Sequence, residues 1–208
     1  MKNLAKLLSL LQLTRHQTLY GYIPSGIKRQ ELPSIAEHSY LTALAAWRLA
    51  KNLAKTGAKI NLARVLELAL IHDLGELFGS DISMPYAQLN PKAKKLARDF
   101  EKENIKFLAR FMGNDESEFI TLAEELFEIK SDEAVVAKIA DYMECAHFMA
   151  SVDRLSKKTL DRIKNRMTSV AGKAKNKKIQ SSIDKEIESW AKDILKISQS
   201  KETDKYIE

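Results

Sequence analysis

The sequence predicts an all-α fold, a compact multi-helix domain. Only four prolines and seven glycines interrupt its 208 residues, and the long segments between them carry apolar residues at helical spacing. No segment alternates apolar and polar residues over the length of a strand, and neither a repeat nor a low-complexity linker is present. We therefore expect a single domain, in which residues 1–150 form the functional core and residues 151–208 add helices that pack on it.

The first predicted element is an amphipathic helix within Met1–Leu13, because leucines recur there at positions 4, 7, 8 and 11. Residues 14–33 are rich in turn formers and aromatic residues, which indicates an ordered loop. Ser34 then begins a helix over about 35–55, since Glu37 stands three residues later and completes a capping box.

Six further helices follow from the same kinds of signal. Asn61 can cap a helix whose apolar stripe continues to His72, and Ser131 can cap another. Pro91 suits the first turn of a charged helix, which Gly113 ends. The expected ranges are about 62–72, 91–112, 116–129, 132–152, 155–170 and 179–197, and we expect the last eight residues to fray.

Cysteine use and hydropathy predict a soluble, cytoplasmic protein with no membrane partner. A single cysteine, Cys145, excludes an internal disulfide framework and suits a reducing compartment. No apolar run approaches the roughly 20 residues that a membrane-spanning helix needs. Lys6, Ser9 and Gln12 interrupt the first helix, which therefore resembles a packing helix more than a signal peptide.

The net charge of +6 comes from the C-terminal part of the chain. Residues 157–178 contain nine basic residues and one acidic residue, Asp161, which is a composition that nucleic-acid-binding surfaces share. However, no aromatic residues interleave with these charges to stack on bases. We therefore prefer an ordinary helix with a basic exposed face, and we expect no nucleic-acid partner.

Four polar residues are concentrated at the end of the predicted helix 62–72 and in the residues that follow it, within Val65–Pro85. His72 and Asp73 are adjacent, and Glu76 and Asp81 follow within ten residues. Packing alone does not explain such a group, because burying unpaired polar or charged side chains costs several kcal/mol each.

Two more polar residues lie among apolar neighbours on other helices, His38 in AEHSY and Asp141 in KIADYME. With His72 and Asp73 they make two imidazoles and two carboxylates, a set that suits a divalent first-row metal ion. Each residue alone has a plainer interpretation, and Asp141 could simply pair with Lys138 on its own helix. Taken together, the four residues favour a metal site formed by three converging helices.

The ordered set of His38, the His72–Asp73 pair and Asp141 resembles the HD-domain metal-dependent phosphohydrolases. The wider context, AEHSY, HDLGELFGSD and KIADYMEC, is most similar to the branch that contains bacterial 5′-deoxynucleotidases. The resemblance covers roughly residues 7–150. It implies an HD-domain fold in which these four residues ligate one divalent cation, for which Mn, Co, Mg, Fe, Ni and Zn all stay open.

The resemblance also implies roles for residues beside the metal. Glu76 and Asp81 match acidic positions that position or activate water, and Arg15 is similar to an arginine that contacts the substrate phosphate. Relatives usually follow that arginine with a tryptophan and a shorter loop, whereas this chain continues RHQTLYGYIPSGIKRQELP. Lys28 and Arg29 of this loop are further candidates for binding phosphate.

The leading functional prediction is a phosphohydrolase of nucleotide metabolism that releases phosphate from nucleoside 5′-monophosphates by means of a metal-activated water. An HD hydrolase that acts on nucleoside di- or triphosphates or on a phosphodiester stays open, as does a non-catalytic nucleic-acid-binding module. Because relatives of this branch are often dimers, we also expect a homodimer. The sequence gives no role to Cys145 beyond a small buried side chain, and it places His147 on another face of the Asp141 helix.

Overall fold

A computed structural model describes residues 4–79 and 81–199, so the predicted frayed end lies outside the described residues. Every regular element in this part of the chain is helical, apart from one isolated β-bridge between Thr18 and Ser34. The all-α prediction is therefore confirmed. The helices are α1 (Leu4–Leu11), α2 (Ile35–Lys55), α3 (Leu62–Ile71), α4 (Met84–Leu89), α5 (Pro91–Ala109), α6 (Glu116–Glu128), α7 (Asp132–Ser151), α8 (Lys157–Ala171) and α9 (Lys177–Gln199).

The predicted helix starts carry the expected caps. The Ser34 hydroxyl accepts the backbone N–H of Glu37 at 3.2 Å, and the Glu37 carboxylate accepts the Ser34 N–H at 2.8 Å. Asn61 accepts the N–H of Arg64 at 3.2 Å, and the Ser131 hydroxyl accepts that of the third helical residue of α7. These bonds satisfy N–H groups that have no partner inside a helix, so local sequence fixes where α2, α3 and α7 begin.

Three stretches differ from the predicted pattern. Residues 12–31 contain three short 3₁₀ turns within what we predicted as a loop. Helix α3, which we predicted to continue to His72, ends at Ile71, so His72 lies just beyond its last turn. The six-residue helix α4 was not predicted; the Ser83 hydroxyl caps it, and Pro85 occupies its first turn.

Helices α2, α3 and α7 form the centre of the molecule, and α8 and α9 pack against α7 and α2. Their contacts join Leu53, Val65, Ile139, Met167 and Ile183 in one core whose members are almost completely buried. Helix α7 is surrounded by neighbours, which explains why its buried residues occur on nearly every face. Among the described helices, none is long and apolar enough to cross a membrane.

A smaller apolar cluster joins α5 and α6 to the segment that follows α3. The buried Asn104 side chain of α5 donates a hydrogen bond to the carbonyl of Gly75 at 2.7 Å. A side chain at Gly75 would place its Cβ 3.1 Å from the backbone carbonyl of Glu101, so glycine permits this close approach. The contact fixes the turn that carries the acidic residues of the candidate site.

Candidate metal centre and its cavity

The four predicted ligands come from three helices that meet in the core. His38 lies in the second turn of α2 and is 1% exposed, while Asp141 lies in the middle of α7 and is 6% exposed. His72 and Asp73 immediately follow α3, where the chain leaves the helix and turns toward α2 and α7. The fold therefore brings together residues that are up to 103 positions apart in the sequence.

The ligand atoms cluster around the Nε2 atoms of the two histidines. The Nε2 atoms of His38 and His72 lie 3.0 Å apart, and the Asp73 carboxylate lies 3.4 Å and 3.3 Å from them. The Asp141 carboxylate lies 3.2 Å from His38 Nε2 and 3.9 Å from His72 Nε2.

The separations of 3.0–3.4 Å fit a shared metal ion, whereas the 3.9 Å between His72 Nε2 and Asp141 requires a wider angle at the ion. Two ligand atoms that each lie about 2.1 Å from one ion, at angles between 90° and 109°, are separated by about 3.0–3.4 Å. Two neutral imidazole nitrogens and two carboxylate oxygens also match the donors that divalent first-row metals accept. Without an ion, two Nε2 atoms at hydrogen-bond distance would need one of them to carry a proton, whereas an ion lets both present lone pairs.

The other nitrogen of each imidazole is held by a hydrogen-bond acceptor. His72 Nδ1–H donates to the backbone carbonyl of Ala69 at 2.8 Å, and His38 Nδ1 makes a short hydrogen bond with the buried carboxylate of Glu144. A carbonyl can only accept, so Nδ1 of His72 carries the proton and Nε2 is left free to bind a metal. Glu144 does the same for His38, in the manner of a carboxylate that orients a metal-binding histidine.

Lys138 is the closest cation to the cluster. Its Nζ lies 2.7 Å from Asp141 Oδ2, so the plainer interpretation of Asp141 as a partner of Lys138 is also realised. Burial alone would raise the pKa of Asp141, but the Lys138 ammonium and the bond from His38 hold that pKa well below its ordinary value. The Asp141 carboxylate is thus ionised and uses its two oxygens differently, one toward Lys138 and the other toward the histidines.

Three more carboxylates surround the cluster. Burial and the neighbouring charge of Asp73 raise the pKa of Glu76 well above its ordinary value. Burial raises the pKa of Asp81 to about 6, although the backbone N–H of Gly21 donates to this carboxylate and stabilises its charge. Burial likewise raises the pKa of Glu101, on α5, to about 7. Groups that titrate near neutrality suit proton transfer at physiological pH.

The cluster lies on the wall of a cavity of about 500 Å³, which we call the central cavity. Its size is within the range of roughly 300–1,000 Å³ that small-molecule sites occupy. Besides the four ligands and the acids, its walls include Tyr22 from the loop before α2, Arg98 from α5 and Arg162 and Arg166 from α8.

The loop residues predicted to bind phosphate lie elsewhere in the structure. Arg15 is exposed, and its Nε donates to Gln12 at 2.9 Å. Lys28 and Arg29 are exposed as well, and the Arg29 guanidinium lies 5.8 Å from the ring centre of Tyr20. None of the three is among the residues that line the central cavity. Their role in substrate binding stays a prediction.

Of two further side chains, His147 lies away from the cluster as the sequence predicted, whereas Cys145 is half-buried and lines the central cavity. The Cys145 thiol donates to Asp141 Oδ1 at 3.5 Å, and burial raises its pKa well above the ordinary value, which keeps it a neutral thiol. His147 faces away from the cluster and accepts a hydrogen bond from Trp190 at 3.0 Å.

Sequence reasoning missed Glu144 and Glu101, and it considered Lys138 only as a surface partner of Asp141. Glu144 lies one turn after Asp141, and this helical spacing was the only available sign that it faces the same side. Glu101 lies on a helix that carries charge on many positions, so its sequence context does not distinguish it.

Comparisons with known proteins identify the family of the chain. A family model described as an HD domain matches residues 14–186. The chain is 30% identical over 141 residues to 5′-deoxynucleotidase VV1113 of Vibrio vulnificus, an alignment that covers 62% of this chain and 70% of that protein. It is 27% identical over 127 residues to 5′-deoxynucleotidase HDDC2 of Dictyostelium discoideum, covering 60% of this chain and 64% of that protein.

Two solved structures share the fold. The PH0347 protein of Pyrococcus horikoshii superposes with a TM-score of 0.66 at 24% identity, over 91% of this chain and 99% of that one. A conserved hypothetical protein from Pyrococcus furiosus gives a TM-score of 0.63 at 25% identity, over 89% and 99% of the two chains.

The fold and the cluster together define a helical protein with a candidate divalent-metal centre in a ligand-sized cavity. The match over most of the chain shows that the protein belongs to the HD-domain family, and the predicted resemblance is confirmed. Family membership, the relatives and the cluster of histidines and aspartates support a metal-dependent phosphohydrolase.

Proposed function

We propose that the protein hydrolyses nucleoside 5′-monophosphates to a nucleoside and inorganic phosphate. The observation that carries the proposal is the clustering of His38, His72, Asp73 and Asp141 in the wall of a nucleotide-sized cavity. The names of the two relatives, both 5′-deoxynucleotidases, supply the substrate class.

In this proposal the four residues hold one divalent cation. When bound, the cation supplies Lewis-acid catalysis, since it polarises a phosphoryl oxygen and lowers the pKa of water from 15.7 to about 7. Glu144 and the Ala69 carbonyl keep the Nε2 atoms of the two histidines unprotonated, so that these atoms are ready to bind the cation.

Asp81 and Glu76 are the candidates for moving protons. The pKa of Asp81 is raised to about 6, near the working pH, so its carboxylate can accept a proton from the attacking water and later return it, and the pKa of Glu76 is raised in the same direction. The water oxygen forms a new bond to phosphorus while the bond from phosphorus to the 5′ oxygen breaks. The proton accepted from the water goes to this leaving oxygen, so the products are a neutral sugar hydroxyl and inorganic phosphate.

The test is a substrate panel on protein that has been stripped of metal and then reloaded with Mn, Co or Mg. Nucleoside monophosphates, triphosphates and a cyclic phosphodiester are each incubated, and orthophosphate and pyrophosphate are detected separately. The proposal predicts orthophosphate release that is fastest with monophosphates, and that is lost in His72→Ala. The matched control is His16→Ala, which removes an exposed histidine outside the cavity and leaves the rate unchanged.

Three outcomes of this panel would contradict the proposal. A His72→Ala variant with wild-type rate would exclude the metal mechanism. Pyrophosphate release, or a preference for the phosphodiester, would favour the alternative HD hydrolase. Salt-dependent RNA binding without hydrolysis under any metal would favour the non-catalytic nucleic-acid module.

Homodimerisation stays a prediction of the family resemblance, and a cytoplasmic location stays a prediction from cysteine use and hydropathy. Sedimentation of the purified chain measures the first directly, and a mass corresponding to a monomer at micromolar concentration would contradict it.

A further inference from the structure

Helix α8 contributes two arginines to the central cavity. Arg162 and Arg166 are one turn apart and half-buried, and both line the cavity that contains the ligand cluster. The sequence led us to expect a uniformly exposed basic face on this helix, and the structure corrects that expectation for these two residues. An adjacent side of α8 packs in the core as expected, through Leu160, Ile163 and Met167.

Neither arginine has a protein partner in the part of the chain that the structure describes. The Nε atom of each is buried and makes no hydrogen bond, and neither guanidinium forms an ion pair there. Lys164, between them on α8, is different because it pairs with Glu188 of α9 at 2.7 Å. The Arg98 guanidinium of the same cavity also has a partner, the backbone carbonyl of Phe127.

A buried N–H group without a partner costs free energy, so two in one cavity wall are expected to have a ligand. The planar guanidinium presents several N–H donors in a fork that matches two oxygens of a phosphate group. Arginines at positions i and i+4 of a helix lie on the same face, so both can reach one anion. Thr159 and Ser169 of α8, and Lys173 two residues beyond its end, continue the polar lining on this side of the cavity.

The charges that line the cavity are also compatible with an anionic ligand. Its walls carry five carboxylates, those of Asp73, Glu76, Asp81, Glu101 and Asp141. Six basic side chains line the same cavity, those of Lys94, Arg98, Lys138, Arg162, Arg166 and Lys173, so with a divalent cation bound its walls can accept a dianionic phosphate ester. Arg162 and Arg166 add two fixed positive charges on the side of the cavity formed by α8.

We propose that Arg162 and Arg166 form the phosphate-binding wall of this site and contact a phosphate group of the substrate. The identity of the substrate rests on the proposed function, whereas binding of phosphate itself does not. The two arginines would supply the anion recognition that the family resemblance assigns to Arg15, a residue that is exposed and outside the cavity here.

The experiment compares Arg162→Gln, Arg166→Gln and the double variant with Lys158→Gln. Lys158 is an exposed residue of the same helix, so this control removes one positive charge outside the cavity. Two quantities are measured: kcat/KM for a nucleoside monophosphate with the metal-loaded protein, and the Kd for inorganic phosphate by calorimetry with and without metal. Thermal unfolding of the metal-free variants verifies that they fold.

Each arginine variant is expected to lower kcat/KM at least tenfold and to weaken phosphate binding at least tenfold. The Lys158 control should stay within twofold of wild type. The melting temperatures of the arginine variants should equal or exceed that of wild type, since an unpaired buried donor is removed. A merely structural arginine would give the opposite pattern, with a lower melting temperature and unchanged phosphate affinity.

The proposal is overturned if both arginine variants bind phosphate as the Lys158 control does, or if wild-type protein binds no phosphate with or without metal. Failure of the proposed function looks different: the wild-type protein would release phosphate from no nucleotide, while weakened phosphate binding in the arginine variants would still support the anion site.

Discussion

Replacing Glu144 tests whether the structure orients its candidate metal ligands through a second layer of hydrogen bonds. The Glu144 carboxylate is 6% exposed and makes a short hydrogen bond with Nδ1 of His38. This contact keeps the proton of the imidazole on Nδ1 and the lone pair on Nε2, the atom that lies 3.2–3.4 Å from the carboxylates of Asp141 and Asp73. Without the acceptor, the ring can rotate or carry its proton on Nε2, and either change removes a ligand.

The expected loss follows from this geometry. Removal of a residue that orients a metal-binding histidine typically lowers metal affinity by about 10–100-fold, or about 1.4–2.7 kcal/mol. We expect Glu144→Ala to lie at the upper end, because His38 is 1% exposed and water cannot easily replace the missing acceptor. Glu144→Gln retains a carbonyl oxygen that can accept from Nδ1, so its loss should be about tenfold or less.

The assay is a Co²⁺ titration of stripped protein followed by visible absorption, in competition with a chelator of known affinity. The matched control is Glu124→Gln, which neutralises an exposed glutamate in the middle of α6. The reasoning is refuted if Glu144→Ala binds Co²⁺ as tightly as this control while both variants remain folded by circular dichroism.

Three further substitutions test other parts of the site. Lys138→Met should destabilise the metal-free protein by roughly 1–3 kcal/mol in urea unfolding, because it leaves the carboxylate of Asp141 without its cation; equal stability would contradict a contributing ion pair. The pKa of the Glu101 carboxyl is raised from 4.5 to about 7, so the folded protein favours the protonated carboxyl. The stability that this preference contributes is present in full below pH 4.5 and is lost as the pH rises through 7. Between pH 4.5 and pH 8 the free energy of unfolding of metal-free wild type should therefore fall by up to about 3 kcal/mol more than that of Glu101→Gln, and parallel pH curves would exclude the shift. Gly21→Ala would place a Cβ 2.6 Å from Asp81 Oδ1 and displace this carboxylate, so kcat should fall at least about tenfold; wild-type kcat would remove Asp81 from proton transfer.

The capping residues located the helix starts in the sequence because their side chains make the hydrogen bonds that stabilise those starts. Ser34 and Glu37 form the capping box that begins α2, and Asn61 caps α3 as its position predicts. The short helix α4 escaped prediction because six residues are too few to show helical periodicity, and its start depends on Ser83 and on the proline in its first turn.

The metal ligands could be selected from the sequence because histidines and aspartates among apolar neighbours are costly without a shared partner. The residues that support them could not. Glu144 contacts His38 across 106 positions of sequence, and helical spacing shows only that Glu144 shares a face of α7 with Asp141. Likewise, the pattern of α8 identifies its buried side correctly but does not show that Arg162 and Arg166 face a cavity.

The most direct test of the central claim is to titrate stripped protein with Mn²⁺ or Co²⁺ while bound metal and phosphate release from a nucleoside monophosphate are measured together. We expect activity to be absent at zero metal, to rise in proportion to bound metal, and to saturate at one ion per chain. Asp141→Asn should bind metal more weakly and lose activity in parallel. Full activity in the stripped protein with a chelator present, or activity in Asp141→Asn that no longer follows bound metal, would contradict a single ion held by His38, His72, Asp73 and Asp141.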